Sequence, residues 1–474
     1  MIVNAIFGAG TAGKSYVVTR QRRLNCYYEN RKDKDKSPIA VYGTPGLKPL
    51  ATIGSVVVPA RGLFGTASFL YAVFGGNFFQ LTPTLSTAYT AAIGTLTGPV
   101  TFTTTPTQVV LVDGTSGYLL VGGALVLIAS AGFPSAARTI TNCNGYLVAE
   151  APGTQRFQVS AQFDGSSWNP LAFGSASNYP DIILAVDTLI GNLLLFCSTH
   201  LEFWQNIGAT PQPFGPIFSA TVEYGLAAIF SRAHVDSGIC FLAQRLQGGF
   251  CVCRITGYSV NVISDPDLES IFGTFSTVAD AEGLAYQADN HPMYQLTFPT
   301  ANRSFLWDAS TGIWSETQTG LTAAYAQRHI ARFSTLFNGV AVISNYTNNK
   351  LYTADSATFT DDGQVIPRRI ITRHHLHDHN VFSIDEAFLD METGVGLPSG
   401  QGSNPQIALS CSKNNGRTFS TERWNPLQAQ GNYVRVPPWR RWGSARVFDF
   451  NVYMTDPVKF AMTSGAFSER EREQ

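Results

Sequence analysis

A chain of 474 residues has room for two or three domains and for a large buried core. Charged residues make up only 14%, against roughly 25% in ordinary soluble domains, which suits a surface covered by other subunits. The net charge of −1 excludes a global basic field of the kind that condenses DNA or clings to a membrane.

The chain starts Met1-Ile-Val-Asn-Ala-Ile-Phe, without the basic start and cleavage region of a signal peptide. Gly8-Ala-Gly-Thr-Ala-Gly-Lys14-Ser15 matches the phosphate-binding loop pattern GxxxxGK[ST] letter for letter. That chemistry needs a helix opening at Lys14, and the β-branched residues that follow supply no apolar helical stripe, so no nucleotide is expected. Residues 1–55 read as an extended arm, kept open by Thr44-Pro-Gly and Lys48-Pro. Arg22, Arg23, Lys32, Lys34 and Lys36 are its candidate partner contacts, and the interleaved Asp33 and Asp35 favour a protein surface over phosphate.

Residues 56–362 repeat one plan: an apolar run, a tight turn and a second run coming back. Tyr71-Ala-Val-Phe-Gly-Gly-Asn-Phe-Phe-Gln-Leu and Tyr118-Leu-Leu-Val-Gly-Gly-Ala-Leu-Val-Leu-Ile show it plainly. The first strands of these units fall near positions 71, 118, 146, 193, 240, 294 and 340, mostly about 46 residues apart, the period of a β-propeller. The short step from 118 to 146 leaves the count at six or seven blades and the ring open, irregular or closed. Residues 118–131 are apolar enough to suggest a membrane segment, but Gly122-Gly123 divides them and Pro134 closes them, so a buried hairpin is expected. Asp265-Pro-Asp-Leu-Glu-Ser-Ile-Phe is the best helix candidate, capped by Ser264 or Asp265 and placed between blades. The seven cysteines include no CxxC pair and most sit in apolar strand patterns, which predicts buried thiols made in a reducing compartment.

From residue 365 to 466 the 46-residue spacing is lost, and the strand-like runs predict a second all-β domain, a sandwich. Arg373-His-His-Leu-His-Asp-His379 holds the densest group of metal-ligand types. On a strand His375, His377 and His379 would share a face and could seat zinc. The run is one residue short of the HxHxDH pattern and no histidine follows it, so a polar strand without metal is expected. Ser412-Lys-Asn-Asn-Gly-Arg-Thr-Phe419 resembles the Asp-box with Asn414 in place of Asp, a hairpin turn. Trp439, Arg440, Arg441 and Trp442 mix aromatics with cations and are candidate partner contacts. Residues 467–474 form a charged tail. No catalytic set and no cofactor motif is predicted.

Several of these segments also fall in the order of a known family. Ile190-Gly-Asn-Leu-Leu-Leu-Phe-Cys-Ser-Thr-His-Leu-Glu-Phe-Trp-Gln-Asn-Ile-Gly-Ala-Thr, Tyr224-Gly-Leu-Ala, Phe305-Leu-Trp-Asp-Ala-Ser with Trp314, and Leu409-Ser-Cys-Ser-Lys-Asn-Asn-Gly carry the likeness. Gln21-Arg-Arg-Leu-Asn-Cys-Tyr-Tyr-Glu and Tyr42-Gly-Thr-Pro-Gly-Leu extend it to the start. The chain resembles the tail hub, or nozzle, proteins of short-tailed bacteriophages of the Salmonella podovirus type, the packaged DNA stabilisation family. The resemblance implies a non-enzymatic virion protein assembled in the host bacterial cytoplasm. It implies a homohexameric ring below the head-to-tail adaptor that extends the DNA channel, helps retain the genome, and anchors a needle or plug and tailspikes or fibres. DNA would pass without sequence-specific binding, and no membrane would be entered. The alternative reading is a β-propeller that binds or cleaves glycans.

Overall fold

The computed structural model describes residues 2–4, 14–30, 39–176, 179, 181–322, 327–377 and 380–471. Among them, the strands between Ala60 and Asp355 form seven antiparallel blades: 1 (60–92), 2 (101–127), 3 (140–175), 4 (183–216), 5 (224–262), 6 (282–317) and 7 (331–355). The innermost strands touch one another in sequence around the hub, and Ala331–Phe337 of blade 7 returns to Ala60–Gly65 of blade 1. Blades 4 and 5 meet through hydrogen bonds from Arg232 and His234 to Asp187. The ring is therefore closed, and the open or irregular alternatives are set aside.

The uneven step in the repeat has a simple cause. In blade 2 the second strand is Val109–Val112, and the run beginning at Tyr118 belongs to the third strand, Gly117–Val121. The second strands then begin at Leu70, Val109, Tyr146, Asn192, Gly238, His291 and Val340. They read as unbroken apolar runs because both faces are covered: Leu70–Phe74 and Val109–Val112 are buried throughout. Each blade-to-blade interface holds its own apolar cluster, such as Phe196, Phe203 and Phe241 between blades 4 and 5. The apparent membrane segment is a hairpin whose turn, Gly122-Gly123, has φ of +60° and +81°, which glycine adopts without strain. Only its first strand is buried, because Ala124–Leu127 is the exposed outer strand of the blade.

The helix forms where its cap predicts. Pro266–Phe272 follows Asp265, whose side chain accepts from Leu268 N at 2.7 Å, and Leu268 and Phe272 are buried. Glu269 is held by Arg245 at 2.7 and 2.9 Å, which fixes the connection from blade 5 to blade 6.

The expected arm is built into both domains. Gly46–Thr52 pairs antiparallel with Lys350–Asp355 and becomes the outer strand of blade 7, so the two ends of the propeller sequence are laced together. Pro49 is tolerated there because the strand lies at a sheet edge. Cys26–Asn30 and Ile39–Gly43 join Ala461–Glu471, Phe382–Met391 and Trp439–Ala445 in one sandwich sheet. In the other, Arg22–Leu24 lies beside Arg368–Ile371, followed by Val447–Met454, Gln406–Ser412 and Arg423–Pro426. Between the sheets lies one core that includes Tyr28, Phe382, Phe448, Phe450 and Phe467.

Leu24 also pairs in parallel with Glu316 on the outer strand of blade 6, so one sheet runs continuously from propeller to sandwich. Asn25, at φ +52° and fully buried, locks this seam. Its amide donates to the carbonyls of Gln318 and Pro367, and its carbonyl oxygen accepts from Thr317 and Gln318. The charged tail also departs from expectation: the last strand runs to Glu471, Phe467 is buried, and Arg470 pairs in register with Ser383. Residues 472–474 lie outside the described residues.

Candidate functional site

The inner strands around the hub of the propeller line an open cavity of about 580 Å³. Leu63, Phe64, Phe102, Phe333 and Leu336 give it an apolar wall, and its polar corner is Asp187 with Arg232 and His234. Arg232 Nη1 donates to Asp187 Oδ2 at 2.8 Å, and His234 Nε2 lies 3.0 Å from Oδ1. Burial pushes the Asp187 carboxyl up, but His234 and Arg232 outweigh it and hold the group below the usual carboxylate range. Asp187 in turn holds His234 above the ordinary histidine value. One carboxylate shared by two cations is an electrostatic clasp between blades, and its charges are spent on each other.

The densest group of potential ligands is in blade 4. Asp181, Cys197 and His200 are all buried, with ligand atoms within 4.8 Å of one another. Asp181 Oδ2 accepts from Thr199 N at 2.6 Å and Thr199 Oγ1 at 2.7 Å, and lies 3.0 Å from His200 Nδ1. His200 Nε2 is 3.0 Å from Glu202 Oε1, and Trp204 Nε1 donates to Glu202 Oε2 at 2.8 Å. Burial lowers the His200 pKa, but Glu202 and Asp181 outweigh it and raise the value. Burial, Glu202 and Asp181 together push the Cys197 thiol far up. The network is saturated with its own hydrogen bonds and ties strand to turn. Its trace was present in the sequence: His200, Glu202 and Trp204 alternate, which puts them on one face of a strand.

The predicted contact residues are scattered. Arg22 donates to Glu316 at 2.9 and 2.8 Å, beside Arg303 at 2.6 Å, so it braces the seam. Burial works against the Glu316 carboxylate, yet Arg22 and Arg303 hold it below the usual range. Arg23 is buried with its guanidinium 3.6 Å from the Tyr28 ring centre. Both arginines are thus engaged within the chain, Arg22 by Glu316 and Arg23 by Tyr28. Lys32, Lys34 and Lys36 lie outside the described residues.

Trp439 and Trp442, expected as partner contacts, are instead core residues of the sandwich. Three positions apart on a regular strand they would face opposite ways. A bulge opposite 384–386, with Arg441 at φ +62°, returns both rings to the same side. Trp439 Nε1 donates to the carbonyl of Arg423 at 2.7 Å, while Arg440 and Arg441 stay exposed.

In the histidine run, His374 bonds Asp449 and His375 bonds Glu469, contacts that pin a strand. His377 is half-buried near Phe382, and His379 lies outside the described residues. Lys14 and Ser15 are exposed at a turn in which Val18 N and Thr19 N donate to the Ser15 carbonyl, and residues 8–13 lie outside the described residues. The Asp-box-like segment does form a turn: Asn414 accepts from Thr418 N at 3.0 Å, and Ser412 Oγ accepts from Gly416 N at 2.9 Å. All seven cysteines are buried and free; the Sγ atoms of Cys251 and Cys253 stand 3.8 Å apart.

No curated protein matches the chain. Similar solved structures include the WD40 domain of Neurospora crassa Pan2, at 10% identity and TM-score 0.38 over 66% of this chain and 95% of that one. The N-terminal domain of Nup159 aligns at 10% identity and TM-score 0.39, over 70% and 98%. The extracellular domain of the putative one component system BT4673 from B. thetaiotaomicron aligns at 9% and 0.44, over 80% and 47%. Two family models match: Bacteriophage P22 Gp10, beta-propeller, over residues 25–359, and Bacteriophage P22 Gp10, beta-sandwich, over residues 367–467. With a closed propeller welded to a sandwich and both matched in order, the chain belongs to the Bacteriophage P22 Gp10 family, the packaged DNA stabilisation family of structural phage tail proteins.

Proposed function

We propose that six copies of this chain form a ring, the tail hub of a short-tailed phage, which extends the DNA channel below the head-to-tail adaptor. The ring helps retain packaged DNA and carries the needle and tailspikes, and its role is structural, without catalysis. The observation that carries the reading is the match of both domains to one family, in a chain whose domains share a continuous sheet. A block stiffened in this way can be repeated around an axis without hinging, as a closed ring requires. A further support is the outer strand of blade 2, Ala124–Leu127, which leaves an exposed apolar edge with Val126 and Leu127 outward. A second copy of the chain is the occupant this reading assigns to it.

Electron microscopy of the purified protein or of virions tests the proposal. Sixfold rings with a central channel are expected, and a protein that stays monomeric at all concentrations overturns it. Val126→Lys is expected to weaken assembly at least tenfold in sedimentation while leaving the monomer folded.

A further inference from the structure

We propose that the exposed face of the sandwich carrying Arg20, Lys413, Arg417, Arg423 and Arg441 is a contact site for the phosphate backbone of double-stranded DNA. It rests on the tail-hub reading only in taking DNA as the polyanion within reach.

Three separate pieces of chain build this face. The turn after Ser412 holds Lys413 and Arg417 outward, both exposed. Arg20 is laid along that turn: a Cβ on Gly416 would stand 2.4 Å from Arg20 Cγ. The guanidinium carbons of Arg20 and Arg417 lie 4.5 and 5.7 Å from the centre of one ring, Tyr16, which holds both cations without neutralising either. Lys413 reaches the bulge, its Nζ 3.0 Å from where a Cβ on Gly443 would be. Arg423 lies over Trp442 at 4.2 Å and donates to the Arg440 carbonyl at 2.6 Å, beside exposed Arg441.

The charge on this face is not compensated. Among the described residues no carboxylate oxygen lies within 4.0 Å of the charged nitrogens of these five side chains, whereas neighbouring Arg440 is paired with Glu386 at 2.7 Å. Asp449, under the turn, is buried and bonded to His374. Glu422 is adjacent in sequence to Arg423 and half-buried. Trp439 and Trp442 are buried below the face, while Tyr16, Val17, Val18 and Trp424 are exposed beside it. Tyr16 lies against Arg20 and Arg417 and Trp424 lies against Tyr453, so uncompensated charge dominates the face, which suits a phosphate backbone.

The test uses the full chain and a fluorescein-labelled mixed-sequence duplex, with anisotropy read between 50 and 200 mM KCl. Sequence-independent binding is expected, with a log K against log salt slope of about −4 to −5 for five contacts. Lys413→Gln with Arg417→Gln is expected to weaken binding about tenfold at the low-salt end and to flatten the slope by about 2. Arg440→Gln is expected to leave both unchanged, and circular dichroism checks that each variant is folded. Absence of binding by the parent chain, or a double variant with parental affinity and slope, overturns the site. So does competition by polyglutamate as strong as that by DNA of equal charge, which would assign the face to an acidic protein. Rings without DNA binding overturn this site alone; DNA binding by a chain that never forms rings overturns the tail-hub reading alone.

Discussion

The propeller and the sandwich are both all-β, yet they are assembled in opposite ways. Six of the seven blades are made from consecutive strands, and a hairpin finds its partner within a dozen residues. The sandwich draws its strands from Ile2–Asn4, from residues 22–43 and from beyond residue 367, so each of its sheets brings together positions more than three hundred residues apart. Blade 7 shares this character, since its fourth strand comes from the arm. The propeller can therefore form locally, whereas its closure and the whole sandwich wait for the chain ends.

The largest effect that would sharpen this contrast is removal of the arm. Deleting residues 1–52 takes strands from both sandwich sheets and unlaces blade 7, so the product is expected to be insoluble or to lose cooperative unfolding. A soluble deletion with parental circular dichroism would show that the arm only decorates the fold. Next is Glu316→Gln, which leaves Arg22 and Arg303 uncompensated at the seam and is expected to cost about 3 kcal/mol. Calorimetry should place that loss in the transition that melts the sandwich.

A smaller, pH-dependent effect belongs to the propeller alone. Folding raises the His200 pKa, so its contribution is complete below the ordinary histidine value of about 6.5 and is lost as pH rises through the folded value. Burial opposes the Asp181 carboxylate, but Ser198 and Thr199 outweigh it and lower its pKa. Its contribution is present above the ordinary carboxylate value and is lost as pH falls through the lowered one. Melting temperatures from pH 5 to 9 should decline above about 6.5 in the parent chain and show a flatter profile in His200→Gln. The smallest effect is Arg440→Ala on the sandwich surface, expected to cost less than about 1 kcal/mol because the pair with Glu386 is solvent-exposed.

The same contrast explains what could be read in advance. The hairpins at 71, 193 and 340, the helix after Asp265 and the Gly122-Gly123 turn are each specified by a few adjacent residues. Pairing across hundreds of residues leaves no local trace, so Arg22 and Arg23 looked like solvent-facing cations on a free arm. Glu316, which fixes Arg22, lies in a distant blade. The burial of Trp439 and Trp442 is hidden for a related reason, because a bulge changes which faces residues share. The basic face of the sandwich leaves no local trace either, since Tyr16 meets Arg417, and Lys413 meets Gly443, only after three segments converge.

By itself the sequence determined the class of structure, the repeated hairpin, the buried free thiols and the family, because each depends on residue order over short stretches. Tertiary structure alone decided that the ring has seven blades and is closed, that the arm serves both domains, and which charges remain uncompensated. Those properties depend on which distant strands pair, and pairing is settled by the packing of whole sheets.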